Sequence, residues 1–308
     1  MKPFSGLRYW WQAARPAAHG MIAVPLLWGQ ALASINGHAL AWHWFALLLL
    51  FGMACQVHIL YLNDYADEAV DRLNTTYWLS GGSRVIPEGH LDGPQLLAGS
   101  FFALAIVVIL SLISTAMGRP WMLLLGALSL IASWSYSLGP LRLSYRGHGE
   151  LHQAISCGIL LPLTAFYMQT GTLAHFPWPA LAPMFLLFFA GNIITALPDR
   201  PSDEQGGKRS YPVRHGARRA RRDAAILLAL AYLLVPVVSA PWLSFWLTAS
   251  LVSAPAILIL LYSRAGNNPA SSHGTNSTPE RNFVLLATSS QVWMVMAWTL
   301  LLFAQGHS

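Results

Sequence analysis

Charged side chains are scarce in this sequence, and their scarcity excludes a water-soluble globular domain. Of its 308 residues, Asp, Glu, Lys and Arg make up only 10%, whereas hydrophobic residues make up 55%. Soluble domains carry roughly 25% charged residues. Apolar stretches of about 20 residues recur along the whole length, and a helix of that length crosses the hydrocarbon core of a bilayer. The composition therefore predicts an all-α integral membrane protein.

Cysteine is almost absent, and no cleavable signal peptide is recognisable. Cys55 and Cys157 both fall in apolar segments, so we expect small buried side chains rather than a disulfide or a metal-binding pair. The N-terminal region runs through Arg15 and Pro16 directly into a full-length apolar segment, which is unlike a signal peptide. The net charge is +6, but the basic residues lie beside predicted spans, so we expect no nucleic-acid partner.

The hydropathy pattern predicts a single domain over residues 1–308 that forms a bundle of nine transmembrane helices. The predicted spans are 17–35, 41–62, 95–117, 120–138, 150–170, 179–197, 223–240, 242–263 and 283–304. Residues 265–280 are rich in Asn, Ser, Gly and Pro, a composition that predicts a flexible loop between the last two spans.

Charge is missing from one side of this predicted bundle. Seventeen of the 18 Lys and Arg residues, and all 12 Asp and Glu residues, lie in the N-terminal segment or in the connections after even-numbered spans. Arg119 alone lies on the other side. Basic residues accumulate on the cytoplasmic side of membrane proteins. We therefore expect the N-terminus and the charged chemistry to face the cytoplasm, at the inner membrane of a bacterium.

The densest group of polar residues follows the second predicted span. Residues 63–71 contain four acidic side chains and an amide. Asp64, Asp67 and Asp71 are spaced i, i+3, i+7, so a helix places them on one face. Charge at a membrane boundary is costly unless a positive group meets it. Oxygen ligands of this kind suit a hard divalent cation, above all Mg²⁺, which usually also binds the phosphates of a substrate.

A second acidic pair, Asp199 and Asp203, follows the sixth span at i, i+4 spacing. Two acidic clusters at two helix ends predict a diphosphate that is held through metal. A basic, glycine-containing segment follows each cluster; the first contains Arg84, and the second contains Lys208 and Arg209. Glycines let backbone N–H groups approach an anion, and Arg and Lys neutralise phosphate charge. The alternative, that these cations are topology signals at a membrane surface, stays open.

These motifs resemble those of the UbiA superfamily of intramembrane prenyltransferases. Residues 63–71 match its first motif, Asn-Asp-x-x-Asp-x-x-x-Asp, at every position, and Asp199 and Asp203 match its second, Asp-x-x-x-Asp. Residues 136–142 resemble the Tyr-Ser-x-x-Pro segment after the fourth helix, and residues 14–16 resemble the Arg-Pro start of the first helix. The resemblance covers roughly residues 10–300. The segments 145–151 and 207–216 look most like the branch that prenylates dihydroxynaphthoate on the way to menaquinone.

The resemblance implies a cytoplasmic active-site mouth and two Mg²⁺ ions that hold an isoprenyl diphosphate. The implied metal ligands are Asn63, Asp64, Asp67 and Asp71 for one ion and Asp199 and Asp203 for the other, and the five aspartates are implied to be catalytic. The candidates to bind the phosphates are Arg15, Arg72, Arg84, Lys208 and Arg209. Metal neutralises the leaving diphosphate as the allylic C–O bond breaks. An aromatic acceptor of the quinone-precursor type then attacks the allyl cation in a dry cavity.

Four further residues are candidates for the acceptor side of the site. Tyr136 and Ser137 lie in a family motif near the cytoplasmic mouth, so we expect them to line the acceptor or cation site and count them as catalytic. His58, one turn before Asn63, and His152, at the start of the fifth span, could bind the acceptor and orient its hydroxyl or take its proton. For both histidines, a packed or interfacial side chain is the favoured alternative.

Three classes of function remain open. The first is an aromatic-acceptor prenyltransferase, which the motifs favour. The second keeps the family but not the aromatic acceptor, as in a lipid-acceptor prenyltransferase or a terpene cyclase. The third is a transporter, which predicts acidic residues along a path across the membrane. The interiors of the predicted spans contain essentially none, so a site at one face fits better. The sequence does not determine the acceptor or the length of the prenyl chain.

Overall fold

The structure, a computed structural model, describes residues 5–74, 82–249, 252 and 278–306, and every regular element in this part of the chain is a helix. The α-helices are α1 (Ser5–Ala13), α2 (His19–Ile35), α3 (Trp42–Ala66), α4 (Glu68–Asp71), α5 (Gly93–Ala116), α6 (Trp121–Ser137), α7 (Gly149–Ile155), α8 (Leu161–Thr170), α9 (Leu181–Thr195), α10 (Arg200–Gln205), α11 (Tyr211–His215), α12 (Ala217–Ser239) and α13 (Thr278–Gly306). Short 3-10 helices precede α2 and α9, and a π-helical turn, Ser156–Leu160, joins α7 to α8.

Seven of the nine predicted spans correspond to helical segments that are long and apolar enough to cross a membrane. They are Gly6–Ile35, Trp42–Ala66, Gly93–Ala116, Gly149–Thr170, Trp178–Thr195, Ala217–Ser239 and Glu280–Gly306. The predicted fourth span is the shorter apolar helix α6. Most of the predicted eighth span, 242–263, lies outside the described residues, and of it residues 245–249 are helical.

The start of the first span and the end of the predicted flexible loop differ from the structure. The first segment begins with α1, ahead of the predicted start at residue 17, because Ser5–Ala13 is itself amphipathic enough to form a helix. The predicted flexible loop 265–280 lies outside the described residues up to 277, but its last residues belong to α13, which begins at Thr278. Glu280 lies in the first turn of that helix, where an acidic side chain is favourable to the helix dipole.

The helices pack through two large apolar clusters. One joins α2, α9, α12 and α13 around Trp28, Trp298 and Tyr232. The other joins α2, α3, α6 and α8 around Phe51 and Leu48. Helices α2 and α8 take part in both clusters, so they connect the two halves of the bundle.

A glycine allows α2 to approach α8 closely. A Cβ built on Gly29 would lie 2.6 Å from the carbonyl oxygen of Pro162 and 2.7 Å from the Cβ of Ala165. The neighbouring Gln30 donates from Nε2 to the carbonyl oxygen of Ala165 at 2.7 Å. Small residues that bring backbones together are the usual basis of helix packing in membranes, where water supplies no hydrophobic drive.

The two ends of the bundle differ in charge, as the sequence predicted. At one end Arg119 donates from Nε to the carbonyl oxygen of Met168 at 2.7 Å and from Nη2 to that of Gln169 at 3.0 Å, and its guanidinium lies 4.2 Å from the ring centre of Trp44. Gln169 in turn donates to the carbonyl oxygen of Ala39 at 2.9 Å. The turns after α2, α5 and α8 therefore meet at this end, opposite the acidic end of α3.

The contact at Gly29 generates a stability prediction. Gly29→Ala should destabilise the protein by about 1–3 kcal/mol, because the added methyl group meets backbone atoms of α8 that cannot move independently. Gly20→Ala is the matched control on the same helix, because a methyl group added there would meet nothing within 4 Å, and it should change stability by less than about 1 kcal/mol. Thermal unfolding in detergent measures both. Equal unfolding temperatures would show that α2 and α8 can separate without cost.

Candidate active site

The first acidic segment lies at the junction of α3 and α4. Helix α3 carries Asn63 and Asp64 in its last turn, Asp67 follows the helix, and α4 continues for one turn to Asp71. The Asp67 N–H still donates to the carbonyl oxygen of Asn63 at 2.8 Å, so the chain keeps an almost helical path through the interruption. The side chains of Asp64 and Asp67 are only 2% and 4% exposed. Two carboxylates are thus removed from water at the end of a membrane helix.

Positive and polar groups from other segments surround Asp64. Arg15, between α1 and α2, forms an ion pair with Oδ1 of Asp64, and the hydroxyl of Ser83 donates to Oδ2. Gln12 holds the segment that carries Ser83, because its Nε2 donates to the Ser83 carbonyl oxygen at 2.9 Å. The structure therefore brings Arg15, a predicted site residue, to the cluster. Ser83 is a site residue that the sequence did not predict, although it lies in the glycine-containing segment after the first motif.

The second acidic motif is joined to the first. The Nζ of Lys208 donates to Oδ2 of Asp67 at 2.8 Å, and Nδ2 of Asn63 donates to the same oxygen at 2.9 Å. Asn74 donates from Nδ2 to Oδ1 of Asp199 at 2.7 Å. Segments more than a hundred residues apart in sequence thus meet at one end of the bundle.

Backbone contacts fix the position of Lys208. Its N–H donates to the carbonyl oxygen of Asp203 at 2.7 Å, and Gly207 immediately before it has φ +73°, a conformation that glycine adopts without steric cost. Asp203 itself is buried at the start of α10. The tight turn therefore places the second motif and the lysine side by side.

The connection after α6 supplies a third group of site residues that the sequence did not predict. Arg142 donates from Nη2 to the carbonyl oxygen of Ala66 at 2.9 Å, and its guanidinium lies 3.5 Å from the ring centre of Tyr145. The Nζ of Lys208 lies 5.8 Å from the same ring, and the N–H of Arg209 donates to the carbonyl oxygen of Tyr145 at 3.3 Å. The sequence feature that could have identified Arg142 and Tyr145 is their location in the segments 136–142 and 145–151, which carry part of the family resemblance.

Burial and like charge perturb the titration of the acidic groups. Burial, with Asp64 and Asp67 nearby, raises the pKa of Asp71 to about 8. Burial raises the pKa of Asp203 to about 7, although the charge of Lys208 opposes the shift. Burial lowers the pKa of Lys208, but the nearby Asp67, Tyr136 and Asp203 raise it well above its ordinary value. The lysine is therefore a permanent cation among carboxylates that resist ionisation.

The donor set suits a hard divalent cation, although its oxygens are engaged elsewhere. In the described part of the chain, no three His, Cys, Asp or Glu side chains form a group that could hold a metal ion as they stand. The predicted ligands Asp64 and Asp67 bind Arg15 and Lys208 instead. Oδ1 of Asp67 is nevertheless buried without a hydrogen-bond partner among the described residues. Crowded carboxylates with raised pKa values and one unused buried oxygen are what a bound divalent cation would stabilise.

Tyr136 and His152 lie together beside the charged cluster. Tyr136 is close enough to Lys208 to contribute to the raised pKa of its ammonium group. The rings of Tyr136 and His152 have centres 5.8 Å apart, and Nε2 of His152 lies 3.1 Å from Oγ of Ser135. Ser137 is buried at the end of α6. The structure therefore places His152 beside Tyr136, near the end of α6.

Four predicted site residues have other partners. His58 is buried against α5, where its Nδ1 lies 2.8 Å from Oγ of Ser100, as in the packed alternative. Arg72 pairs with Glu68 at 2.9 Å on exposed surface, and Arg84, which is partly buried, pairs with Glu88 at 3.1 Å.

Arg209 contributes a backbone N–H to Tyr145, whereas its side chain is exposed. Arg72 and Arg84 each lie four residues before or after a glutamate, and the resulting local ion pair competes with binding of the arginine at the acidic cluster.

The raised pKa values predict a pH-dependent response to divalent cations. A cation binds the ionised carboxylate, so its affinity should rise as the pH rises through about 7 to 8, where Asp203 and Asp71 lose their protons. Without a cation, the same raised values make the folded state progressively less stable over that range. The increase in unfolding temperature on adding Mg²⁺ should therefore be larger at high pH than at low pH. Thermal scans across that range measure it, and a shift independent of pH would contradict the assignment.

Comparisons with known proteins identify the family of this chain. A sequence model described as the UbiA prenyltransferase family matches residues 22–276, a range that contains both acidic motifs. The 1,4-dihydroxy-2-naphthoate octaprenyltransferase of Mycobacterium tuberculosis is 28% identical over 255 residues, which cover 81% of this chain and 83% of the relative. The 2-carboxy-1,4-naphthoquinone phytyltransferase of Synechocystis is 27% identical over 259 residues, which cover 79% of each chain.

A solved structure shares the fold. The UbiA homolog from Archaeoglobus fulgidus, bound to GPP and Mg²⁺, aligns with a TM-score of 0.67 over 96% of this chain and 99% of that chain, at 18% sequence identity. The match of the family model to most of the chain, with both acidic motifs inside the matched range, shows that this protein belongs to the UbiA prenyltransferase family.

Proposed function

We propose that this protein transfers an isoprenyl group from an isoprenyl diphosphate to an aromatic acceptor of the dihydroxynaphthoate type, with Mg²⁺ as the cofactor. The observation that carries the proposal is the meeting of two acidic segments at one end of the bundle, where Lys208 of the second pairs with Asp67 of the first at 2.8 Å. A diphosphate is the one part of such a substrate that needs both metal-binding carboxylates and fixed cations.

The donor diphosphate occupies the space between the acidic segments. Two Mg²⁺ ions, one at each motif, would neutralise the charge of the leaving diphosphate. Asn63, Asp64, Asp67 and Asp71 would hold one ion, and Asp199 and Asp203 would hold the other. Arg15 and Lys208 lie at the carboxylates and can reach phosphate oxygens, whereas Arg142 is fixed at 2.9 Å on the carbonyl oxygen of Ala66, at the end of α3. Concentrated positive charge stabilises the oxyanion that develops as the C–O bond breaks.

The acceptor binds beside the donor, at Tyr136, Ser137 and His152. The aromatic face of Tyr136 favours the allyl cation by its quadrupole, and its neighbour His152 can accept the proton of an acceptor hydroxyl. The two relatives described above support a bicyclic aromatic acceptor, since both of their names specify a naphthalene-type compound. Their names differ in the prenyl group, so the length of the donor chain is not part of the proposal.

The site opens on the cytoplasmic side of a bacterial inner membrane. Seventeen of the 18 basic residues belong to the end that carries the acidic segments by the span assignment, which supports this orientation through the positive-inside rule. The substrate's isoprenyl chain extends from that end into the apolar interior or the bilayer.

The direct test combines purified protein, Mg²⁺ and geranylgeranyl diphosphate, with and without 1,4-dihydroxy-2-naphthoate or 4-hydroxybenzoate. Released diphosphate and lipid products are followed together. The proposal expects a prenylated naphthalene that requires both Mg²⁺ and the dihydroxynaphthoate. A hydrocarbon or alcohol formed without an acceptor would replace it with a cyclase, and a product with 4-hydroxybenzoate alone would replace the acceptor. A folded protein that releases no diphosphate under any of these conditions would contradict the proposal.

Loss of the second motif should abolish most of the activity. Asp203→Asn removes a buried carboxylate charge and should lower kcat by about 10²-fold or more. Glu204→Gln is the matched control, since Glu204 is exposed and lies 4.0 Å from Arg200, and it should keep activity close to wild type. Diphosphate release measures both variants. If Asp203→Asn turned over at the wild-type rate, the second motif would have no role in catalysis.

Loss of the imidazole beside Tyr136 should affect the acceptor and not the donor. His152→Ala should raise the KM for the aromatic acceptor by about tenfold, the effect expected from one lost hydrogen bond. The KM for the prenyl diphosphate should stay unchanged. Ser135→Ala keeps the imidazole and removes its neighbour, so its effect on the acceptor should be smaller. Parallel changes in both KM values would point to a general disturbance of the bundle instead.

A further inference from the structure

Each of the two most buried carboxylates of the first motif is paired with a cation from another segment. Lys208 reaches Asp67, and their side chains are 16% and 4% exposed. Arg15 reaches Asp64, and their side chains are 26% and 2% exposed. A buried ion pair is costly to break by removing one partner, because the remaining charge is left without compensation. These cations therefore stabilise the carboxylates in the absence of any other positive charge.

The ammonium of Lys208 competes with a metal ion for the same carboxylate. Oδ2 of Asp67 already accepts from both Nζ of Lys208 and Nδ2 of Asn63. A divalent cation on this carboxylate would lie a few ångströms from the ammonium, and two positive charges at that distance repel strongly in a buried site. This repulsion favours the departure of Lys208 from Asp67 when the cation binds.

The lysine side chain can leave while its backbone stays in place. The Lys208 N–H remains bound to Asp203, and the next N–H remains bound to Tyr145, so these contacts hold the base of the side chain beside the cluster. The ring centre of Tyr145 lies 5.8 Å from Nζ. A long flexible side chain anchored in this way can swing from a carboxylate to a phosphate oxygen without a change in the fold.

Arg15 has the same relation to Asp64, with a strained backbone. Its φ is +44°, in the left-handed region that non-glycine residues rarely occupy. Such strain persists only where the surroundings over-determine it, and the ion pair with Asp64 is the contact that its side chain makes.

We propose that Lys208, assisted by Arg15, is a built-in counter-ion that occupies the metal-binding carboxylates while the site is empty and transfers to the diphosphate when donor and metal bind. The inference rests on the proposed function, since it requires a metal at the first motif. It adds a role in which Lys208 opposes the binding of metal alone and favours the binding of metal together with diphosphate. The site then admits the metal–diphosphate pair in preference to free metal.

The direction in which the affinity for Mn²⁺ changes when Lys208 is replaced tests the proposal. Lys208→Gln removes the competing charge, so Mn²⁺ without any diphosphate should bind about tenfold more tightly than to wild type. The same variant should bind geranylgeranyl diphosphate more weakly in the presence of Mg²⁺. A lysine that acts as a phosphate ligand alone would give the second effect without the first. Titration with Mn²⁺, followed by electron paramagnetic resonance of the free ion, measures the first effect.

Two matched variants isolate the contact from net charge. Lys208→Arg keeps the charge at the position and should bind Mn²⁺ with nearly the wild-type affinity. Arg146→Gln removes an equal charge from an exposed position next to Tyr145 and should also stay close to wild type. Tightening in Arg146→Gln equal to that in Lys208→Gln would overturn the proposal, because it would show a long-range effect of charge.

Stability provides a second readout that does not depend on turnover. In EDTA, Lys208→Gln should unfold at a lower temperature than wild type, since Asp67 then lacks its cation, and Mg²⁺ should restore it. A loss of stability that Mg²⁺ does not reverse, or an unchanged Mn²⁺ affinity, overturns the counter-ion role. If the wild-type protein binds Mn²⁺, the proposed metal site stands even where the counter-ion role is overturned. If neither wild type nor any variant binds Mn²⁺, the counter-ion role and the proposed metal site are both overturned.

Discussion

Carboxylates that are removed from water at a membrane boundary require positive charge in contact with them, and the arrangement of the charged end depends on this requirement. Asp64 and Asp67 are buried at the end of α3, where neither water nor lipid can compensate them. Cations reach them from the α1–α2 junction and from the turn after α10. These ion pairs join both connections to α3 at the polar end of the bundle. Apolar packing stabilises the remainder of the bundle.

The same requirement explains why the connection after α6 belongs to the site. Arg142 binds the end of α3 through the Ala66 carbonyl oxygen, and the ring centre of Tyr145 lies 3.5 Å from this guanidinium and 5.8 Å from the ammonium of Lys208. The face of an aromatic ring attracts a cation at such distances. Three connections from different parts of the chain thus meet at the end of α3.

The sequence predicted the helical class, most of the spans and the two acidic motifs, because apolar length and charge placement are properties of composition along one helix. It did not predict that Ser83, Asn74 and Tyr145 complete the cluster, since their positions depend on irregular backbone and on contacts between distant segments. His58 shows that closeness in sequence does not place two residues on the same face of a helix. It is one turn from Asn63 in sequence, but six residues from Asp64 correspond to about 120° around a helix, so its ring faces α5.

The contacts of Arg119 constrain the order in which parts of the bundle can pack during synthesis. Its guanidinium is satisfied by carbonyl oxygens at the end of α8 and by the face of Trp44 at the start of α3. The ribosome completes the α5–α6 turn well before Met168 and Gln169 exist. During that interval the arginine lacks its carbonyl partners and must remain hydrated. The contacts that fix the α5–α6 turn against α8 therefore form only after α8 has been synthesised.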